Sequence, residues 1–237
     1  MQLFYSHTIA PVFALDADES RHAVRVMRLR EGDEIRVTDG RGLLARCRIL
    51  AADDRECTVE VVEQTLVDAA GAGLRLVVAP TKNPSRIEWL VEKAVELGCV
   101  SAIQPVECDH SERTTLKVER LEKIAVSAMK QSLQALHPAI LPMLPLRQLL
   151  GAPRTSPDEQ LFIAHCEADK PRVALAAALQ PRRPATLLIG PEGDFSADEI
   201  ALALDGGYQP VSLGPTRLRT ETAALYGAMA FNIINDR

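Results

Sequence analysis

The chain has 237 residues, 47% of them hydrophobic and 4% aromatic, with a formal net charge of −5. That length and hydrophobic content fit one large or two modest packed domains and exclude a disordered chain. The acidic balance excludes a strongly basic nucleic-acid binder, though not a local basic patch. The few aromatics exclude base stacking as the main device for holding RNA.

Cys47, Cys57, Cys99, Cys108 and Cys166 are scattered, with no C-x-x-C. They read as reduced thiols of a cytoplasmic protein, with no zinc framework and no metal expected. The opening M-Q-L-F-Y-S-H has no basic segment ahead of an apolar stretch, so no signal peptide is expected. No apolar run is long enough to span a membrane.

Residues 1–70 have a β-rich texture. A short helix is predicted over residues 19–29, ending near Gly32. Strands are predicted at residues 34–38, 43–50 and 57–62, with Asp39-Gly40 and Arg41-Gly42 marking a tight turn. This reads as a small β-barrel carrying one helix. Residues 68–73, D-A-A-G-A-G, read as a linker.

From Leu74 the texture becomes alternating strands and helices. A buried strand is predicted at residues 74–79. Asn83 and Pro84 then fit the N-cap and first position of a helix, because proline lacks only an N–H that would be orphaned there. Ile87, Leu90, Val91, Ala94 and Val95 fall on one face of that helix, and Gly98 fits its C-terminus.

A strand follows at residues 100–106, and a long helix from 118 to about 135. Short strands are predicted at 140–144 and 161–165, a helix at 171–179 and a strand at 185–190. S-A-D-E, Ser196 to Glu199, is a capping box opening another helix. The last strand is predicted at 211–213 and the last helix from 220 to about 235. This alternation predicts a mainly parallel α/β sheet.

Two corners stand out. The first is I-G-P-E-G-D-F-S, Ile189 to Ser196; the second is L-G-P-T-R-L-R-T-E-T-A, Leu213 to Ala223. Each joins a strand to a helix, and together they could wall one pocket with backbone groups. No G-x-G-x-x-G follows the strand at 74–79, which disfavours a nicotinamide-dependent oxidoreductase. Arg217 and Arg219 sit just before a helix, where an acidic residue or an anion is the usual occupant. Two arginines there suggest a held electron-rich group; pairing with Glu221 or exposure to solvent is the plainer alternative. Arg21, Arg25 and Arg28 are spaced to share one helical face, either as a phosphate-contacting stripe or as a solvated face.

Taken together, I-G-P-E-G-D-F-S-A-D-E and L-G-P-T-R-L-R-T-E-T-A resemble the signature of the ribosomal RNA small-subunit methyltransferase E (RsmE) family, in the SPOUT superfamily. H-A-V-R-V-M-R-L-R-E-G-D-E-I-R-V-T-D-G-R-G, starting at His22, is similar to that family's PUA-like barrel. E-W-L-V-E-K-A-V-E-L-G, starting at Glu88, resembles its first catalytic-domain helix, and Met129 to Ser132 another of its segments. The motifs fall in order over nearly the whole chain.

The resemblance implies a PUA-like RNA-binding barrel at 1–70 and an α/β methyltransferase domain at 74–237 with a deep trefoil knot at its C-terminus. It implies a homodimer that methylates N3 of a uridine in 16S, small-subunit, ribosomal RNA. It implies S-adenosylmethionine held by Leu188, Ile189, Gly190, Pro191, Glu192, Gly193, Leu213, Gly214, Leu218 and Thr222.

Arg219 is the first candidate to stabilise charge on the uracil, and Arg217 the second. Glu221, with Glu192 beside it, is a candidate base. Arg21, Arg25, Arg28, Arg113, Lys130 and Arg217 are the candidate RNA contacts. The chain departs from the family pattern at Leu133 and Gln134, where Gly-Arg is common, and at His110, where an arginine is common. A SPOUT enzyme acting elsewhere on RNA, or a non-catalytic RNA-binding or ribosome-assembly protein, are the rival readings.

Overall fold

The computed structural model describes residues 2–67, 73–153, 156–167 and 171–235. By its contacts the chain divides into two units, Met1–Ala70 with Val126–His137, and Gly71–Ala125 with Pro138–Arg237. The expected linker at 68–73 falls, apart from Gly73, outside the described residues.

The first unit is built on β1 (Leu3–Tyr5), β2 (Val12–Ala14), the short helix α1 (Ala17–Arg21), β3 (Glu34–Thr38), β4 (Leu43–Ala51) and β5 (Thr58–Leu66). The sheet order is β1-β3-β4-β5-β2. β1 runs parallel to β3, and the other pairs are antiparallel. Alternate side chains face inward, so Ile35 and Val37 meet Ala45, Cys47, Ile49 and Val59 in one buried cluster with Phe4, Leu15 and Ala23.

The helical segment here differs from the expected helix over 19–29. Asp16 caps α1 by accepting from the Glu19 amide at 2.8 Å, so the helix starts earlier. A π-helical turn follows over His22–Val26, and Arg28 then adopts a left-handed backbone at φ 57°. The wider turn shifts the side-chain phase, and Arg28 lies beyond the helix. The three arginines therefore do not share one helical face.

The second unit contains β6 (Leu74–Val78), α2 (Pro84–Leu97), β7 (Val100–Glu107), most of α3 (Val118–Gln131), β8 (Ala139–Ile140), β9 (Leu144–Pro145) and α4 (Leu146–Leu150). It continues with β10 (Gln160–Ala164), β11 (Val173–Ala174), α5 (Leu175–Ala178), β12 (Ala185–Ile189), α6 (Ala197–Asp205), β13 (Gln209–Ser212) and α7 (Thr220–Asn235). The sheet runs β11-β13-β10-β12-β6-β7-β8, with β9 also on β7, and all these pairs are parallel.

Every residue of β12 is buried, as expected of a strand covered on both faces. Asn83 caps α2 through the Ser85 amide at 3.0 Å, Pro84 opens it, and Gly98 closes it at φ 71°. Both bonds of the Ser196–Glu199 capping box are formed. Gly227 lets α7 lie on β12: a Cβ there would stand 2.2 Å from Leu187 Cδ2.

Three expectations change. α3 ends at Gln131 rather than near 135, because Leu133 turns left-handed at φ 59°. The single strand expected at 140–144 is two short strands that pair with different stretches of β7. The helix expected over 171–179 is β11 followed by one turn, because Val173 and Ala174 pair with Val211 and Ser212.

Candidate active site

β10 lies between β12 and β13, and all three are parallel, so their carboxyl ends meet on one edge of the sheet. Open parallel sheets bind ligands at that edge. The two corners leave from it. One runs from the end of β12 to α6, the other from the end of β13 to α7. Between them is a cavity of about 720 Å³, bordered also by Ala164 at the end of β10 and by His165, Cys166 and Arg172 after it.

Ile189, Gly190, Pro191 and Glu192 line the cavity from the first corner, and Leu213, Gly214, Arg217, Leu218 and Arg219 from the second. Gly214 adopts φ 116°, a conformation open to glycine and strained for other residues. Its N–H donates to the Ser212 hydroxyl at 3.3 Å, and that hydroxyl donates to the Gly214 carbonyl at 3.2 Å. Arg217 Nη2 donates to the Glu192 carbonyl at 3.3 Å, and Thr220 Oγ1 to the Gly190 carbonyl at 3.1 Å. Both bonds run from the second corner to the first.

Leu188 is fully buried in the sheet core, one residue behind the wall. Gly193 is off the wall and under His110. Thr222 and Glu221, in the first turn of α7, are also outside the lining. Glu221 accepts from Arg86 Nη1 at 3.3 Å, with 12% of its side chain exposed. Arg219 is exposed on the wall, and no side chain among the described residues forms an ion pair with it.

Of the other expected RNA contacts, Arg28 is exposed, and Arg21, Arg25, Arg113 and Lys130 have protein partners. Arg113 donates to the carbonyls of Thr81 at 3.1 Å and Lys82 at 2.6 Å, bracing the turn before α2. In the first unit Arg21 pairs with Asp18, Arg25 with Asp54, and Lys130 with the buried carboxylate of Glu19.

Sequence reasoning did not single out Cys166, Arg172, Ser212 or Asp194 for the wall. Asp194 was visible within the first motif, but its role depends on a distant partner. Its Oδ2 accepts from the Cys166 amide at 2.7 Å and its Oδ1 from the Phe195 amide at 2.9 Å. Burial pushes the Cys166 thiol up, and the Asp194 carboxylate adds to that. The wall carries three arginines, Arg172, Arg217 and Arg219, against Glu192 and Asp194.

An RNA methyltransferase domain family matches residues 72–232, and an RNA methyltransferase PUA domain family matches 15–62. Ribosomal RNA small subunit methyltransferase E of Mycobacterium tuberculosis is 31% identical over 245 residues, covering 99% of this chain and 92% of the relative. The chain belongs to the ribosomal RNA small subunit methyltransferase E family.

A probable rRNA-methyltransferase from Porphyromonas gingivalis superposes with a TM-score of 0.92 at 39% identity, covering 100% of this chain and 99% of that one. The family's enzyme from Neisseria gonorrhoeae, bound to S-adenosyl methionine, superposes with a TM-score of 0.80 at 26% identity over 99% and 98% of the two chains. The chain is thus an RNA methyltransferase of the E family. Its strand-end cavity falls wholly inside the matched methyltransferase domain. No helix among the described residues is long and apolar enough to cross a membrane.

Proposed function

We propose that the protein methylates N3 of a uridine in 16S, small-subunit, ribosomal RNA, with S-adenosylmethionine as donor. One observation carries this reading: the two glycine–proline corners wall a single cavity at the carboxyl edge of the sheet. At about 720 Å³ it has the size of a small-molecule site. Its charged groups of both signs suit a ligand bearing a carboxylate, an ammonium and a sulfonium. The Neisseria gonorrhoeae relative holds this molecule.

The cofactor supplies an electrophilic methyl on its sulfonium. Ile189 to Glu192, Leu213, Gly214 and Leu218 would hold it, largely through backbone groups. Holding the reacting groups in place can lower a barrier by roughly 7–11 kcal/mol. The uracil N3–H must also leave, and each pKa unit above the working pH costs about 1.4 kcal/mol. Arg219, exposed on the wall, would stabilise the negative charge that develops on the uracil oxygens. Of the two candidate bases, Glu192 is on the wall, whereas Glu221 is tied to Arg86. We assign proton acceptance to Glu192 and a structural role to Glu221.

The same reading includes an RNA-binding PUA-like domain at 1–70 and a methyltransferase domain at 74–237. The matched spans 15–62 and 72–232 support it. It also includes the C-terminal trefoil knot. The insertion of β13 between β11 and β10, followed by packing of α7 on β6, β12 and α2, supports a threaded path. Homodimerisation is supported by Trp89 on α2 with Tyr226, Met229 and Ile233 on α7, all exposed on helices that pack together. A cytoplasmic setting is supported by five free cysteines.

The test pairs calorimetry with S-adenosylmethionine and nucleoside mass mapping of ribosomal RNA from a deletion strain. Binding, with loss of 3-methyluridine that the gene restores, is expected. Loss of a ribose or guanine methylation instead would move the target. No binding would favour a non-catalytic RNA-binding protein.

A further inference from the structure

His110 lies in the loop after β7, outside the cavity lining. Its Nδ1 is 3.2 Å from the Gly193 carbonyl and 3.0 Å from the Asp194 carbonyl. Both neighbours are acceptors, so Nδ1 carries a proton and donates to them. The contact is close: a Cβ on Gly193 would stand 3.0 Å from His110 Cβ, tighter than an ordinary van der Waals contact. Asp194 is held at φ 64°, a left-handed backbone disfavoured for a residue with a side chain. Its carboxylate faces the cavity segment and accepts from Cys166, while its carbonyl is gripped from behind by His110.

The neighbouring residue fastens the same corner further along. Asp109 Oδ2 accepts from Ser196 Oγ at 2.6 Å and from Arg147 Nη2 at 2.8 Å. The Asp109 amide donates to Glu199 Oε1 at 2.9 Å, and Glu199 is 1% exposed. Four residues of the first corner and its helix, Gly193, Asp194, Ser196 and Glu199, are therefore bonded to two consecutive residues of another loop.

We infer that Asp109–His110 is a strap that fixes the shape of the first corner, and that His110 is a positioning residue for the methyl donor rather than a contact to RNA. The cofactor half of this inference rests on the reading that the donor binds at this corner.

The experiment uses the full chain with His110→Ala and His110→Asn. Asparagine places an amide N–H close to where Nδ1 donates, so it conserves the bond without the ring. Three quantities are read: amide exchange across residues 190–196 in the ligand-free protein, affinity for S-adenosylmethionine by calorimetry, and KM for RNA.

His110→Ala is expected to speed exchange and weaken donor affinity about tenfold each, with KM for RNA unchanged, while His110→Asn returns both to within about threefold. Unchanged exchange in His110→Ala overturns the strap. So does an asparagine variant as impaired as the alanine one, or a defect confined to KM for RNA. Failure of the unmodified protein to bind S-adenosylmethionine would sink the donor reading, and the exchange measurement would still decide the strap.

Discussion

Thr220 donates its hydroxyl to the carbonyl of Gly190 at 3.1 Å, joining the first residue of α7 to the first corner across 30 positions of sequence. Thr220 is 7% exposed, so the bond is shielded from water. Valine has nearly the same shape and cannot donate. Thr220→Val therefore leaves the buried Gly190 carbonyl without this donor, at a cost of about 1–3 kcal/mol. Urea denaturation should show that loss, and Thr220→Ser should recover most of it. Equal stability of the valine variant would show that the two corners are held together by other contacts.

Arg219 tests the division of labour between the corners. Its guanidinium is exposed on the cavity wall without an ion pair to any described side chain. Arg219→Ala is expected to lower kcat about 10²–10³-fold, the usual effect of losing a group aimed at developing charge. Affinity for S-adenosylmethionine should stay within about threefold. A large loss of affinity with kcat preserved would make Arg219 a cofactor ligand.

Glu221 is expected to be a structural carboxylate. It pairs with Arg86, whose side chain is 30% exposed, and its own exposure is 12%. Glu221→Gln should lower stability by about 1–3 kcal/mol, because the half-buried Arg86 loses its counter-charge. The pH dependence of kcat should keep its shape. Disappearance of the acid limb of that profile would restore Glu221 as the base.

The sequence was readable where its signals are local. The α2 boundaries, the capping box and both corners rest on signals within a few residues of one another, such as Asn83 with Pro84 or Ser196 with Glu199. The segment over 171–179 was misread because nothing local distinguishes Val173 and Ala174 as a strand; their pairing with β13 decides it. The π-helical turn similarly altered an arginine spacing that fits an ordinary helix. At the site, the bonds Arg113 makes were not legible because the carbonyls it holds, Thr81 and Lys82, lie more than 30 positions earlier.

Asp109 gives the strap a pH signature. The Ser196 hydroxyl and then the Arg147 guanidinium hold its carboxyl below the usual carboxylate value of 3.8. A folded-state pKa below the unfolded one stabilises the protein above that unfolded value, and the stabilisation fades as pH falls through the folded one. Asp109→Asn should therefore lower stability at neutral pH. The difference from the unmodified protein should close below about pH 4. The side chain is 41% exposed, so the effect is expected to be modest. A gap that does not narrow at all as pH falls below about 4 would assign the stabilisation to packing or neutral hydrogen bonds instead.

Cys166 provides a reporter of cavity occupancy. It is the exposed cysteine; Cys47, Cys57 and Cys108 are buried and Cys99 is partly covered. Burial raises the thiols of Cys47 and Cys99 to about 11 and pushes Cys108 up as well. The thiolate is the reactive form, so these three should alkylate slowly in the folded protein. The Cys166 thiol is also raised, by partial burial and then by Asp194, but reagent can reach it. Iodoacetamide labelling followed by peptide mass mapping should therefore modify Cys166 first, and faster at pH 8.5 than at pH 7. Because Cys166 lines the cavity, saturating S-adenosylmethionine should protect it. Labelling at the same rate with and without the donor would mean that the donor does not cover the segment after β10.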